Sequence, residues 1–221
     1  MGDARAFDWV PIRSLSARHR PRILAHLLAL DAPDRYLRFG YAAADEQIRR
    51  YVERIDFERD EVFGVFNRRL ALIALAHLAF ERPLAAVPPP PGGVESPGEA
   101  GSTREPGADT QAATGAEFGV SVAVHARGRG YGARLFDHAV LRARNRRVES
   151  IVIHALSENV GMLKIVRNAG AEVESLGGDA EARLRLPPED FASRLAGRVE
   201  EAVGELDYRF KQGALDARPP A

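Results

Sequence analysis

The part of the chain best suited to chemistry is a short run in which every second residue is glycine. Residues 127–132 read Arg-Gly-Arg-Gly-Tyr-Gly and lie between an apolar strand-like stretch and a stretch with the apolar spacing of a helix. The N–H groups of such a turn can converge with the first N–H groups of the helix on an anion, and glycine lets the oxygen atoms of a ligand approach the main chain. The sequence therefore predicts a phosphate-binding loop here, with a purely structural tight turn as the alternative.

Two common phosphate-binding motifs can be compared with this loop. A Walker A loop requires Gly-Lys-Ser/Thr, which is absent, so a nucleoside triphosphatase is excluded. The pattern Gly128-x-Gly130-x-x-Ala133 does satisfy the dinucleotide fingerprint. That fold needs several further strand–helix units, whereas the chain after Gly132 offers one unit, a hairpin and a helix. An NAD-type dinucleotide-binding domain is therefore kept as the weaker alternative.

Alternation and helical spacing predict the elements around the loop. Before it we expect an edge strand within 7–13, helices within 16–30 and 44–56, and strands at 61–68 and 70–80 that turn at Asn67-Arg68-Arg69. A strand at 116–124 leads into the loop, and a helix follows it. Next come a strand at 150–156, a helix at 158–169 with Ser157 as its N-cap and Gly170 as its left-handed end, and a hairpin that turns at Gly177-Gly178.

The chain is predicted to form one domain over residues 1–186, with an extension at 187–221. Residues 82–115 are rich in Pro, Gly and small polar residues, which predicts a disordered insertion between two strands of one sheet. The extension reads as an amphipathic helix and a loose tail. This helix would either pack over the binding cleft or form a homodimer interface.

Several segments together carry a resemblance to a known family. Arg127-x-x-Gly130-x-Gly132 resembles the Gln/Arg-x-x-Gly-x-Gly/Ala loop of the GNAT superfamily of acyl-CoA-dependent N-acetyltransferases, and the preceding EFGVSV resembles its central strand. Residues 157–173 resemble the family's next segment, in which an asparagine (Asn159) opens a helix that ends at a glycine (Gly170). The stretch DRYLRFG also resembles bacterial protein and small-molecule acetyltransferases. The resemblance is strongest over 116–173.

This resemblance implies an α/β (α+β) fold with a mixed central sheet of six to seven strands flanked by helices, to which the C-terminal helix is added. It also implies acetyl-CoA, or another acyl-CoA, as co-substrate. The pyrophosphate would bind the main chain of the loop, the pantetheine arm and thioester would bind backbone groups where the central strand splays from its neighbour, and an asparagine would contact the cofactor. The implied residues are Arg127, Gly128, Arg129, Gly130, Tyr131 and Gly132 for the pyrophosphate, Val122 and Val124 for the pantetheine arm, and Asn159.

An acyl transfer by direct attack needs a base for the attacking ammonium group and is helped by an acid for the departing thiolate. Glu117, at the start of the central strand, is the candidate base, with a solvent-exposed or ion-paired carboxylate as the structural alternative. Many family members have a tyrosine acid in the helix after the asparagine, but Val166 stands at that position here. Ser157 and His154 are nearby alternatives for the acid.

Composition narrows the classes of partner. Lys plus Arg and Asp plus Glu number 31 each in 221 residues, which gives no general attraction to nucleic acid or to an anionic membrane. The chain has no cysteine, which excludes disulfides, thiolate metal sites and cysteine nucleophiles. No spacing typical of a metal site and no membrane-spanning run is present, so we expect a cytoplasmic protein without a metal.

The combined prediction is an N-acetyltransferase that moves an acetyl or similar acyl group from acyl-CoA to a primary amine, on a small molecule, a protein lysine or a protein N-terminus. Because the usual acid is missing, a non-catalytic acyl-CoA-binding or regulatory module stays open beside it.

Overall fold

Seven strands lie side by side in one mixed sheet, in the order β1-β2-β3-β4-β5-β7-β6. The computed structural model describes residues 11–81, 115–187, 204–205, 207–209 and 211–212. The strands are β1 (Arg13–Ser14), β2 (Glu61–Phe66), β3 (Leu72–Phe80), β4 (Gly115–Val122), β5 (Ser150–Leu156), β6 (Glu172–Leu176) and β7 (Asp179–Arg185).

Within the described residues, five helices cover the two faces of this sheet. They are α1 (Arg20–Leu28), α2 (Ala32–Phe39), α3 (Asp45–Arg54), α4 (Tyr131–Asn145) and α5 (Val160–Asn168). Apolar residues of α1 and α3 form one buried cluster with β2 and β3. Those of α4 and α5 form a second cluster with the central strands, in which the rings of Phe118 and Phe136 meet edge to face at 5.1 Å. The mixed α/β architecture predicted from the sequence is thus confirmed.

The helix α2 is missing from the predicted elements, although the sequence contains its end signals. Asp31 is its N-cap and accepts from Asp34 N at 2.8 Å, Pro33 stands in its first turn, and Gly40 ends it at φ +77°. An Asp cap, an early Pro and a terminal Gly are the usual marks of a short helix. Helical spacing alone is weak over eight residues, which is why the pattern did not indicate it.

Most predicted turns are present in the structure. Asn67 Oδ1 accepts from Arg69 N and Ala71 N between β2 and β3, and Gly170, at φ +85°, follows α5. The N-cap predicted at Ser157 is wrong: Asn159 caps α5, because the helix begins two residues later than predicted and Asn159 Oδ1 accepts from Met162 N at 3.1 Å.

The strands β3 and β4 are antiparallel neighbours from Ala74 with Val122 to Phe80 with Ala116. Residues 82–114 therefore connect adjacent strands of a single sheet, while the predicted disorder falls outside the described residues. Most of the predicted C-terminal helix also falls outside them. Its described residues contact the β1 end of the sheet: Arg13 lies 3.4 Å over the ring of Tyr208, and Lys211 donates to Phe66 O at 2.9 Å.

The sheet decides against a dinucleotide-binding domain. Among the described strands, β4 and β5 form the one parallel pair, and all other neighbours are antiparallel. A doubly wound dinucleotide fold needs a mostly parallel sheet. No helix within the described ranges is long and apolar enough to cross a membrane.

Candidate active site

The sheet opens between β4 and β5. These strands pair through three residue pairs, from Gly115 with Ser150 to Glu117 with Val152. Beyond them β4 continues to Val122 beside β3 while β5 is held by β7, so the two strands separate. The resulting cleft has a volume of about 1160 Å³, and its walls come from both strands, α2 and the N-terminal ends of α4 and α5.

Main-chain groups of β4 face this cleft because they have no partner strand there. Ala123 N donates to Ile73 O at 2.9 Å, and alternate residues of an antiparallel ladder bond to the same neighbour. The N–H and C=O groups of Val120 and Val122 therefore point into the cleft, where an extended amide chain can pair with them. Val120 is absent from the residues predicted by sequence, although two-residue alternation counted back from Val122 indicates it.

The strand β4 ends earlier than the sequence predicts. It stops at Val122, and Val124 begins a 3₁₀ turn over Val124–Ala126. The Val124 carbonyl accepts from Arg127 N at 3.2 Å, and its side chain is 61% exposed. The expectation that Val124 extends the strand along the cleft is wrong, because the chain has to turn there to reach the glycine loop.

Two glycines in left-handed conformation shape this loop. Gly128 and Gly130 have φ of +75° and +77°, a region that costs residues with a Cβ about 1–2 kcal/mol. A Cβ on either glycine would meet no atom within 4 Å, so the backbone angle, and not crowding, requires glycine. Gly130 is the N-cap of α4, and the next N–H groups, on Tyr131 and Gly132, have no acceptor within the helix. Together with the helix dipole they form a site for an anion at the cleft wall.

All the predicted pyrophosphate-binding residues except Arg129 line the cleft. The helices α4 and α5 approach closely beside the loop, since a Cβ on Gly132 would lie 3.2 Å from Ile165 Cδ1. Lys164 of α5 also lines the cleft and adds a positive charge to its wall. The donors and the charge of this region fit a pyrophosphate group.

The Arg127 side chain binds the protein and does not extend from the loop. Its guanidinium group forms an ion pair with the carboxylate of Asp34 on α2, and Nε donates to Val122 O at 3.2 Å. Asp34 is buried and lines the cleft, so the ion pair neutralises a carboxylate that would otherwise repel a bound anion. Arg127 thus ties the loop to α2 and β4.

The amide of Asn159 connects two helices at the opposite cleft wall. Its Oδ1 caps α5, and its Nδ2 lies 3.5 Å from Leu37 O on α2. Asn159 lines the cleft. Each of its two polar side-chain atoms makes one contact within the protein and keeps a second N–H or lone pair for a ligand.

The carboxylate of Glu117 lies where β4 and β5 begin to separate. The side chain is exposed and lines the cleft together with His154 and Glu181. His154 Nδ1 lies 3.8 Å from Glu181 Oε2, also in exposed positions. Val166 is fully buried in the core, and its side chain has no proton to donate. Ser157 Oγ donates to Asp179 O at 3.1 Å in the turn after β5.

Two polar groups that the sequence did not indicate reach the cleft from the α1–α3 side. Arg38 of α2 and Tyr51 of α3 line it, and Arg38 Nη2 donates to the Tyr51 hydroxyl at 2.9 Å.

Ser121 of β4 lies 2.9 Å from Nε2 of the buried His26. Burial lowers the pKa of His26 to about 4, so its imidazole is neutral near pH 7. The Nδ1 of His26 lies 2.9 Å from Leu72 O, which can only accept, so Nδ1 carries the proton and Ser121 donates to Nε2.

Comparison with known proteins supports the resemblance to the GNAT family. Residues 97–170 match the model of the acetyltransferase (GNAT) family. No curated protein matches the chain by sequence. The GNAT resemblance drawn from the residues is confirmed by this match and by the fold.

Solved structures with the same fold come from several bacteria. The GNAT domain of S. lividans PAT is 19% identical, with a TM-score of 0.58 over 79% of this chain and 89% of that one. A GNAT superfamily phosphinothricin acetyltransferase from Sinorhizobium meliloti, solved in complex with acetyl-CoA, is 15% identical, with a TM-score of 0.55 over 83% and 91%. A ribosomal-protein-alanine N-acetyltransferase from Brucella melitensis is 17% identical, with a TM-score of 0.51 over 79% and 99%. At these identities the likeness concerns the fold, and the different acceptors named do not transfer to this chain.

Proposed function

On the premise that this chain carries a GNAT domain, we propose that it is an N-acetyltransferase that moves an acetyl or similar acyl group from acyl-CoA to a primary amine. The observation that carries the proposal is that the open edge of β4 and the N-terminus of α4 meet in one cleft. An acyl-CoA has an anionic pyrophosphate at one end and an extended amide chain that leads to the thioester. The cleft offers an anion site and, in the same order, a row of strand N–H and C=O groups that no neighbouring strand pairs.

Different groups in the cleft serve binding and catalysis. Gly128, Gly130 and the first N–H groups of α4 hold the pyrophosphate, and Val120 and Val122 pair with the pantetheine arm. Because Val122 O already accepts from Arg127, the Val122 N–H is the group left to bind the ligand. A strand N–H directed at the thioester carbonyl would stabilise the negative charge that develops on its oxygen during attack.

The acceptor amine approaches from the side of the cleft away from the loop. There Glu117 is exposed at the point where the strands separate, and it is available to attract or deprotonate an ammonium group. The amine then attacks the thioester carbon directly, without a covalent enzyme intermediate.

The non-catalytic alternative has one specific observation in its favour. Val166 is completely buried at the position where many family members have the acid. A module that only binds acyl-CoA would need the loop and β4 but no proton-transfer group.

Release of the CoA thiol distinguishes these functions. Acetyl-CoA is incubated with the protein and one of four amines: spermidine, ethanolamine, Nα-acetyl-lysine or a peptide with a free N-terminus. Because the chain has no cysteine, every thiol that a thiol reagent detects is CoA. Release that depends on an amine supports the transferase. Saturable binding of acetyl-CoA without such release supports the non-catalytic module.

A further inference from the structure

A hydrogen-bonded chain of four side chains runs from the protein interior to the cleft. Asp60, in the turn before β2, lies 3.0 Å through Oδ2 from Nε2 of His77 on β3. His77 Nδ1 lies 2.7 Å from the hydroxyl oxygen of Tyr51 on α3, and that oxygen accepts from Arg38 of α2 at 2.9 Å. Four separate elements therefore meet in one continuous series of contacts.

The chemistry of the groups fixes the direction of these hydrogen bonds. Burial alone would raise the pKa of Asp60, but hydrogen bonds from His77 and Arg59 outweigh it and hold the pKa below its usual range. The ionised carboxylate can only accept, so Nε2 of His77 carries the proton and Nδ1 has a free lone pair. The Tyr51 hydroxyl must then donate to Nδ1. Its oxygen keeps a lone pair in addition to the one that accepts from Arg38.

The outer end of this chain lies against the central strand. A Cβ on Gly119 would lie 2.6 Å from the guanidinium carbon of Arg38, so the guanidinium rests directly on β4. Gly119 lies one residue before Val120, in the part of β4 that has separated from β5. Tyr51 and Arg38 both line the cleft there. Glu117, in contrast, lies at the closed end of the gap and has no comparable series of buried partners in the described part of the chain.

We propose that Tyr51, and not Glu117, accepts the proton of the acceptor ammonium group, with His77 and Asp60 as positioning residues behind it. This inference rests on the proposed transferase function. The ammonium proton moves to the Tyr51 oxygen as the Tyr51 hydroxyl proton moves to His77 Nδ1, and the resulting imidazolium faces the Asp60 carboxylate. Arg38 stabilises the negative charge that develops on the Tyr51 oxygen.

After this proton transfer, the neutral amine attacks the thioester carbon, the C–N bond forms and the C–S bond breaks. The second proton leaves the nitrogen and neutralises the CoA thiolate, and His77 returns its proton through Tyr51 to solvent. The arrangement corresponds to a nucleophile-activating triad in which the outer group is a phenol and serves as the base.

The variants Tyr51→Phe and Glu117→Gln test this assignment in the full-length protein. Tyr51→Phe keeps the ring contact with Phe39, whose centroid lies 5.4 Å away, and unfolding curves check that both variants fold. The rate of CoA release is measured from pH 6 to pH 10 with the four amines named above, and the affinity for acetyl-CoA is measured by calorimetry. The charged and titratable groups around Tyr51 are Arg38, His77 and Asp60 with Arg59, and Glu117 shares the cleft.

We expect Tyr51→Phe to lower kcat/KM for the amine about 100-fold at neutral pH, as for loss of a general base, with acetyl-CoA affinity unchanged. The deficit should shrink as pH rises, because the acceptor then loses its proton without help. Glu117→Gln should lose less activity than Tyr51→Phe at neutral pH. A deficit for Tyr51→Phe that is constant with pH would indicate a structural role and overturn the inference, and so would a larger loss in Glu117→Gln. If the wild-type protein acetylates none of the amines, the proposed function itself fails, and the inference with it.

Discussion

Arg127, the first residue of the glycine loop, forms an ion pair with Asp34 on α2 and also donates to Val122 O at 3.2 Å. Asp34 is buried, while about half of the Arg127 side chain is exposed. The contact brings together the loop that would hold an anion and the helix that carries Arg38 and lines the cleft. The arginine of the loop motif would therefore influence ligand binding by holding the loop against α2 and β4.

A double-mutant cycle at this pair tests that role. Arg127→Ala leaves the Asp34 carboxylate buried without its partner, so we expect a loss of about 1–3 kcal/mol in the free energy of unfolding. Asp34→Asn removes the charge and should make the later loss of Arg127 less harmful. The coupling should reach about 1 kcal/mol in denaturant unfolding. Strictly additive effects would show that the ion pair contributes nothing to stability.

Two strand glycines should respond differently to alanine. At Gly119 the new methyl group meets the far end of the flexible Arg38 side chain at 2.6 Å, whereas at Gly64 it meets the main-chain oxygen of Ala74 at 2.5 Å. Gly119→Ala should change the free energy of unfolding by less than about 1 kcal/mol, because Arg38 can move and alanine restricts the unfolded chain. Gly64→Ala should destabilise by about 1–3 kcal/mol, because backbone has to shift.

Activity adds a second readout for this pair of variants. Displacement of Arg38 by Gly119→Ala breaks its hydrogen bond to Tyr51, so the rate of acyl transfer should fall while the fold is kept. Equal destabilisation of the two variants would show that Arg38 cannot move away from β4.

The buried histidines predict a loss of stability in mild acid. Burial lowers the pKa of His26 to about 4, whereas an unfolded histidine has a pKa near 6.5. The unfolded chain therefore binds more protons between these values, so the free energy of unfolding falls as pH decreases from about 6.5 to about 4. The full effect of His26 is about 3 kcal/mol, and His19, whose pKa burial also lowers to about 4, adds to it.

Denaturant unfolding at several pH values measures this dependence. His26→Gln should flatten the curve between pH 6.5 and pH 4, even if it also lowers stability at neutral pH through the lost contact with Ser121. An unchanged slope in that variant would show that His26 binds its proton as readily in the folded protein as in the unfolded chain.

Local patterns in the sequence were sufficient for the elements that frame the site. Alternation located β4, the glycine spacing located the loop, and apolar periodicity located α4 and α5, because each of these signals lies within a few residues. The end of β4 was misplaced by two residues, since Val124 continues the apolar alternation although the chain turns at that point. The helix α2 was missed because its marks are end signals and not a periodic pattern.

The contacts that give the cleft its chemistry could not be predicted in the same way. Tyr51, His77 and Asp60 come from three separate parts of the chain. Tyr51 has an ordinary local explanation, because it lies in the apolar stripe of α3, and His77 only interrupts a strand. Only the packing of α3 against the sheet brings them together. Glu117 was the candidate base on its position along the strand alone, which carries no information about such partners.

The central claim, that the glycine loop and β4 hold an acyl-CoA, is tested most directly by calorimetric titration with acetyl-CoA. The wild-type protein is compared with Gly130→Glu and with the matched control Gly170→Glu. Both glycines are left-handed with no atom within 4 Å of a Cβ, so the two variants carry the same backbone strain and the same added charge. Only Gly130 lines the cleft. We predict saturable binding by the wild type and by Gly170→Glu and its loss in Gly130→Glu. No binding by the wild type, or equal binding by all three proteins, would contradict the account.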